Sequence, residues 1–328
     1  MSVILSKAPL RIPLGGGGTD LPSYYENHEG FLIAGAIDKY VYITIHAAFR
    51  KTFQLKYSKL EEVKTASEIL HPIFREALTR HWNGVPLEIQ SIADVPAGTG
   101  MGSSGSFTVA LLKALAQGQY LATTPSLLAE QACQIEIEFL HEPVGKQDQY
   151  VAAHGGICAY TFHCDGTVSV DPLKLSMTTI EQLRNQMLLF FTGETRSASQ
   201  LLTDQDTRSK EGEKSMIESL NRTKEMGYQS RVLLEAGDLR AYALLMNEHW
   251  LNKRKRSTDI ANENIDSLYA TALKNGAVGG KLIGAGGGGF LLFYSEVPEQ
   301  TRAAMAEAGA IELPFDFEFT GATAQGLI

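Results

Sequence analysis

The chain has 328 residues, enough for one large or two ordinary domains, and 44% hydrophobic with 20% charged residues is the balance of a globular protein with a substantial core. A net charge of −8 argues against a general nucleic-acid binder, and any anionic substrate would need a local positive pocket. No run approaches the ~18 apolar residues needed to span a bilayer. The opening Met-Ser-Val-Ile-Leu-Ser-Lys lacks the basic region and long apolar core of a secretory signal. Cys133, Cys158 and Cys164 are odd in number with no CxxC spacing, so neither a disulfide framework nor a structural zinc is expected, and a reducing cytoplasm fits.

In chain order, Phe31–Ile37 and Tyr40–His46 are rich in β-branched and aromatic residues and predict two strands. Residues 66–81 predict a helix. Leu87–Ile92 alternates like a half-buried strand, and Phe107–Ala116 reads as a helix. Thr124 and Pro125 are an N-cap and N1 pair opening a helix expected to reach about Leu140. A hairpin is expected over 155–160 and 167–170, and an apolar strand over 186–191. Helices then dominate: 198–235 with a break near Gly227, 238–250, and 259–275 closed by Gly276. Strands near 280–284 and 289–294, a helix over 297–308 and a final strand near 312–320 complete the pattern. Strand-rich then helix-rich segments predict an α+β fold with its boundary near 184–192.

Between the strand at 87–92 and the following helix stands Pro96-Ala-Gly-Thr-Gly-Met-Gly-Ser-Ser-Gly105. A glycine loop running into a helix start is an anion site, because unpaired backbone N–H groups and the positive dipole end face the loop. Ser103 and Ser104 add hydroxyls that reach phosphate oxygens or a cation. A Walker A loop is excluded, since no Lys stands near Gly105. Gly100–Gly105 satisfies G-x-G-x-x-G, but a dinucleotide fold wants that pattern on its first strand with an acidic residue about 20 positions on. Here the loop comes late, and the next acid, Glu130, falls inside an expected helix. A purely structural glycine turn is the remaining alternative.

Pro96, Gly100, Met101, Gly102, Ser103 and Ser104 fill P-x-x-x-G-[LM]-[GS]-S-S, which resembles the nucleotide motif of the GHMP kinases. Ala8–Leu21 and Lys281–Phe290 are similar to that family's first and third motifs, in the family's order. The resemblance implies a ribosomal-S5-like N-terminal domain (1–188) and a ferredoxin-like C-terminal domain (189–328), with ATP in the cleft between them. It places Pro96, Gly98, Gly100, Met101, Gly102, Ser103, Ser104 and Gly105 at the nucleotide. It also implies Mg²⁺ on Glu136 with Ser103 or Ser104, since an Asp twelve residues after this Glu, here Asp148, sits beside the acceptor hydroxyl in the galactokinase branch. Glu138 is the other carboxylate on that helix, and a solvated face is the alternative for both. Asp148 is expected to act as base or to orient the hydroxyl, and Arg11 to pair with it and with developing phosphate charge.

Where galactokinases carry Gly-Glu-His-Thr-Asp, this chain has Gly16-Gly17-Gly18-Thr19-Asp20. Asp20 remains for sugar hydroxyls, while glycines in place of two side chains argue against galactose and leave room for a larger sugar. With Ile37–Tyr40 and Gly145–Tyr150, the string is most similar to the D-glycero-D-manno-heptose 7-phosphate kinase branch. That branch phosphorylates the anomeric oxygen on the way to nucleotide-activated heptose for surface polysaccharide. A phosphorylated sugar predicts a second basic site. Lys253-Arg-Lys-Arg256 and Arg196 are the candidates, Lys253 and Arg254 foremost, against a solvated helix end. Gly286 and Gly287 of the third motif are expected to meet phosphates or the first-motif loop. Small-molecule partners alone are expected, with no nucleic acid or membrane, for a monomer or homodimer. A kinase for an unphosphorylated sugar and a silent sensor on the same fold are the alternatives.

Overall fold

The computed structural model describes residues 2–195 and 199–327. Its described strands are β1 (Val3–Gly16), β2 (Gly30–Ala47), β3 (Phe53–Lys56), β4 (Leu60–Val63), β5 (Leu87–Ala93), β6 (Ile157–Phe162), β7 (Val168–Pro172), β8 (Met187–Phe191), β9 (Ala277–Leu282), β10 (Phe290–Ser295), β11 (Ile311–Glu312) and β12 (Thr323–Leu327). One sheet runs β12-β1-β2-β5-β3-β4, with β6 on the other half of the β2 edge and β7 beyond it. The second sheet runs β11-β8-β10-β9, all antiparallel.

The two strands expected over 31–46 form one long β2, and its partner β1 carries the first motif. Pro9 and Pro13 lack an N–H for the ladder, and each sits beside a register shift, where a strand tolerates proline. The helix expected over 66–81 divides: Thr65 and Glu68 cap a single turn at Ala66–Glu68, and Pro72 opens a separate helix, Pro72–His81, at its first turn. The helix after Pro125 is α-helical to Cys133 and continues as a π-helical segment over Gln134–Phe139. No break occurs at Gly227, which lies inside the helix Lys214–Ala236; the interruption falls at Gly212. A Cβ at Gly227 would stand 3.3 Å from Gly16 Cα, so the glycine serves close packing on β1.

The strand expected near 312–320 is reduced to Ile311–Glu312 and a single bridge from Phe317 to Ile37, and β12 then returns to pair with β1. The helix Ser103–Gly118 is buried over most of its length and lies against β1 and β2. One core cluster joins the sheets, with Leu10 and Ile12 of β1 packed among Leu189, Leu292 and Tyr242. That shared core forms the floor beneath the cleft described next.

Candidate active site

A cavity of about 720 Å³ lies between the two sheets. Gly98, Gly100, Gly102, Ser103 and Ser104 line one end, and Gly16, Gly17, Gly18 and Asp20 line the other. The loop after β5 reaches the cavity because Gly98, Gly100 and Gly102 all take positive φ near 78°. Gly102 thereby turns the chain into the helix at Ser103. A Cβ at Gly102 would lie 2.9 Å from Asp148 Cγ, so the loop and the Asp148 carboxylate touch through this glycine.

Asp148 stands in the first turn of the helix Gln147–His154. Arg11, projecting from β1 and almost wholly buried, donates from Nε to Asp148 Oδ1 at 2.7 Å, with Nη2 2.5 Å from the same oxygen. Arg11 Nη1 also donates to Gly100 O at 2.6 Å. One guanidinium thus fixes the carboxylate and the glycine loop together.

Asp20 is 1% exposed and accepts from Gly18 N–H at 3.1 Å and Gln147 N–H at 3.2 Å. Burial pushes its carboxyl up to about 6, with the charge of Asp148 adding to the rise. Glu136, on the π-helical segment, is equally buried, whereas Glu138 points to solvent. Ser104 Oγ donates to Glu136 Oε2, and Gln149 Nε2 donates to Oε1 at 2.9 Å. Burial pushes the Glu136 carboxyl up to about 7. A buried carboxylate with no cationic partner, beside serine hydroxyls at a helix N-terminus, fits a hard divalent cation that takes its other ligands from phosphate and water. Among the described residues no cluster of three or more His, Cys, Asp or Glu could cage a metal alone.

Several expected site residues lie off the cavity wall. Pro96, Met101 and Gly105 are outside the cavity lining. Met101 is buried in the shared core, its carbonyl accepting Arg11 N–H, and a Cβ at Gly105 would lie 2.8 Å from Asp148 Cβ. Thr19 is fully buried and exchanges hydrogen bonds with the Phe31 backbone, so it shapes the first-motif loop. Gly286 and Gly287 do not line the cavity; Gly286 packs on Ile260, and Gly287 N–H donates to Ile260 O. The third motif touches the glycine loop after β5, where a Cβ at Gly284 would fall 2.4 Å from Gly100 Cα. Arg254 turns away to pair with Asp266 at 2.7 Å. Arg196 lies outside the described residues.

The sequence reading missed Lys281, buried on β9, His249 beside it, and Gln205, whose Nε2 donates to Gly18 O at 2.8 Å. Arg256 was seen only as part of a charge run, and nothing in the sequence distinguished it from Arg254. Tyr57, His71 and Phe107 form an aromatic wall of the cavity, His71 lying 4.9 Å from Tyr57 and 5.2 Å from Phe107 between ring centroids. These residues come from separated segments, and no local spacing announces them.

No described helix is long and apolar enough to cross a membrane. Residues 66–156 match the model of the GHMP kinases N-terminal domain, and residues 230–311 match that of the GHMP kinases C-terminal domain. D-glycero-alpha-D-manno-heptose 7-phosphate kinase of Campylobacter jejuni is 28% identical over 98% of this chain and 97% of its own. The bifunctional fucokinase/GDP-fucose pyrophosphorylase of Arabidopsis thaliana is 26% identical over 90% of this chain, which spans 30% of that protein. A crystal structure described as a D-glycero-D-manno-heptose 1-phosphate kinase from Bacteroides thetaiotaomicron superimposes with a TM-score of 0.82 at 25% identity, covering 99% of each chain. The family's kinases use ATP with a divalent metal, which agrees with the loop and the buried carboxylate. Matched in both halves and alike in fold along its whole length, the protein belongs to the GHMP kinase family.

Proposed function

We propose that the protein is an ATP- and Mg²⁺-dependent sugar kinase that phosphorylates the anomeric C1 hydroxyl of D-glycero-D-manno-heptose 7-phosphate, giving the 1,7-bisphosphate. The observation that carries this reading is the Arg11–Asp148 pair, joined to Gly100 of the nucleotide loop and adjoining the buried Asp20 of the first motif. It brings an acceptor carboxylate and a phosphate-binding loop to one point, as phosphoryl transfer requires. The whole-length similarity to the Campylobacter heptose 7-phosphate kinase supports the choice of sugar. Gly17 adds to it, since a Cβ there would meet nothing within 4 Å and the sugar end is roomy.

In this mechanism Asp148 accepts the hydrogen of the anomeric hydroxyl and aims its oxygen for in-line attack. Arg11 holds that carboxylate in place and stabilises charge on the transferred group. Asp20 accepts from sugar hydroxyls, its own orientation fixed by Gly18 and Gln147. Glu136 with Ser103 or Ser104 holds Mg²⁺, which when bound neutralises phosphate charge. Backbone N–H groups around Gly98–Ser104 cradle the phosphates, and the base stacks on the wall of Tyr57, His71 and Phe107. Division of the chain at 188/189 and a cytoplasmic location, in keeping with three free cysteines, belong to the same reading.

The alignment with the plant fucokinase over 90% of this chain favours a second reading, a kinase for an unphosphorylated sugar. Incubation with Mg-ATP and heptose 7-phosphate, with fucose, galactose and mannose in parallel, separates the two by ADP release. Turnover confined to the phosphorylated heptose supports the first reading, and turnover confined to a neutral sugar overturns it.

A further inference from the structure

The helix Leu239–Arg254 ends in the cleft, and its last turns carry His249 and Lys253, with Arg256 just beyond. Lys281 enters from β9, its Nζ 3.5 Å from His249 Nδ1. Three cations therefore converge: Lys253 and Arg256 half-buried in the cleft, and Lys281 3% exposed. Their bonded partners among the described residues are all neutral. Lys253 donates to the carbonyls of Gly284 and Leu282. Arg256 donates from Nε to Ser219 Oγ at 2.9 Å and from Nη2 to Thr223 Oγ1. Lys281 has only His249, an imidazole that burial and the neighbouring cations hold neutral.

Three other arginines each meet a carboxylate: Arg11 with Asp148, Arg208 with Glu213, Arg254 with Asp266. Like charges gathered out of water without a carboxylate are costly unless an anion completes the site. Lys253 and Lys281 register this cost: desolvation pushes both down to about 7, with Arg256 and Lys281 adding to the fall at Lys253 and Arg11 to that at Lys281. The position within the cleft identifies the anion. Among the described residues nothing bonds Arg256 Nη1, and a Cβ at Gly18 would sit 3.2 Å from it, so this nitrogen faces the first-motif glycines at the sugar end.

We propose that Arg256, Lys253 and Lys281 form the anchor for a phosphate monoester already present on the acceptor, with Arg256 telling a sugar phosphate from a free sugar. This rests on the kinase reading above and adds the subsite that selects its substrate. It also replaces Arg254 by Arg256 and adds Lys281. The uncompensated cations in the free protein are then a stored preference for a dianion, which would hold both lysines charged once bound.

The test compares wild type, Arg256→Gln and Lys281→Met, each checked for folding by thermal melting. Steady-state rates are measured with heptose 7-phosphate and with the same heptose lacking its phosphate. Loss of a charge-assisted contact should raise KM for the sugar phosphate by roughly 10–100-fold in Arg256→Gln, so that its preference over the free sugar collapses while KM for ATP stays put. An unchanged preference, or a loss that falls on KM for ATP, would overturn the assignment. If wild type turns over neither heptose, the substrate reading has failed, and the subsite is tested by itself. Inorganic phosphate is then titrated without nucleotide and followed by ³¹P NMR. Binding by wild type that weakens in both variants supports the anchor, and equal binding or none by all three overturns it.

Discussion

Replacing Asp148 by Asn removes the charge of the acceptor carboxylate and keeps its shape. Asp148 now takes Arg11 Nε at 2.7 Å and Nη2 at 2.5 Å on one oxygen, and an amide oxygen still accepts there. Breaking a fully buried ion pair costs about 3–5 kcal/mol. Here the Asp148 side chain is 26% exposed, and its charge helps raise both Asp20 and Glu136, so removing it relieves two neighbours. The net stability loss should therefore be about 1–2 kcal/mol, a fall of several degrees in Tm. Activity should fall far more, since a lost proton acceptor removes roughly 10²–10⁴ in kcat, equivalent to about 3–5 kcal/mol in the barrier. ADP release at saturating ATP and sugar phosphate, read beside a melting curve, measures both. A folded Asp148→Asn protein working at a near-wild-type rate would refute the role of Asp148 and the reasoning from its geometry.

Glu136→Gln should abolish the rise in Tm that Mg²⁺ with a non-hydrolysable ATP analogue gives the wild type, and leave the metal-free Tm little changed. Retention of the metal-dependent rise would remove Glu136 as a ligand. In the ligand-free protein, Asp20 and Glu136 bind protons in the folded state up to about pH 6 and 7, and in the unfolded chain only to their lower ordinary values. Stability must therefore fall as pH rises from about 4 to 7, by up to roughly 3 kcal/mol for each group. Lys253 and Lys281 act oppositely, because the unfolded chain keeps their protons to about pH 10 and the folded state releases them near 7. Urea denaturation from about pH 4 to 10 should show a minimum near neutrality, and a maximum there would contradict the burial argument. Gly284→Ala should cost about 2–5 kcal/mol, because its φ of +73° is strained for alanine and the new Cβ would fall 2.4 Å from Gly100 Cα. A melting temperature equal to wild type would show that the two loops do not meet as described.

That the glycine loop, Asp148, Arg11 and Glu136 line one cleft was legible because their order and spacing are local or carried by a family resemblance. The distinction between Glu136 and Glu138 was legible too, although the π-helical segment that bears Glu136 was not. Misreadings arose where an individual residue's neighbours come from distant chain segments. Thr19 matches a sugar-contacting motif, yet its hydroxyl is consumed by the Phe31 backbone. Arg254 and Arg256 are two positions apart in one basic run, and only tertiary packing decides that the first meets Asp266 and the second the cleft. Lys281 lies within a quoted motif but reveals its role only beside His249, 32 positions away in the chain. The helix boundaries at Pro72 and Gly212 follow ordinary backbone chemistry, whereas Gly227 is a packing glycine that resembles a breaker.

The central claim is transfer to the anomeric oxygen of a sugar that already bears a phosphate. The most direct measurement is ³¹P NMR of the product made from Mg-ATP and D-glycero-D-manno-heptose 7-phosphate, with ADP quantified in the same tube. The account predicts one ADP per sugar, and a new phosphorus resonance coupled to the anomeric proton beside the original phosphate. A new phosphate at another carbon, or ADP formed only with a neutral sugar, would contradict it.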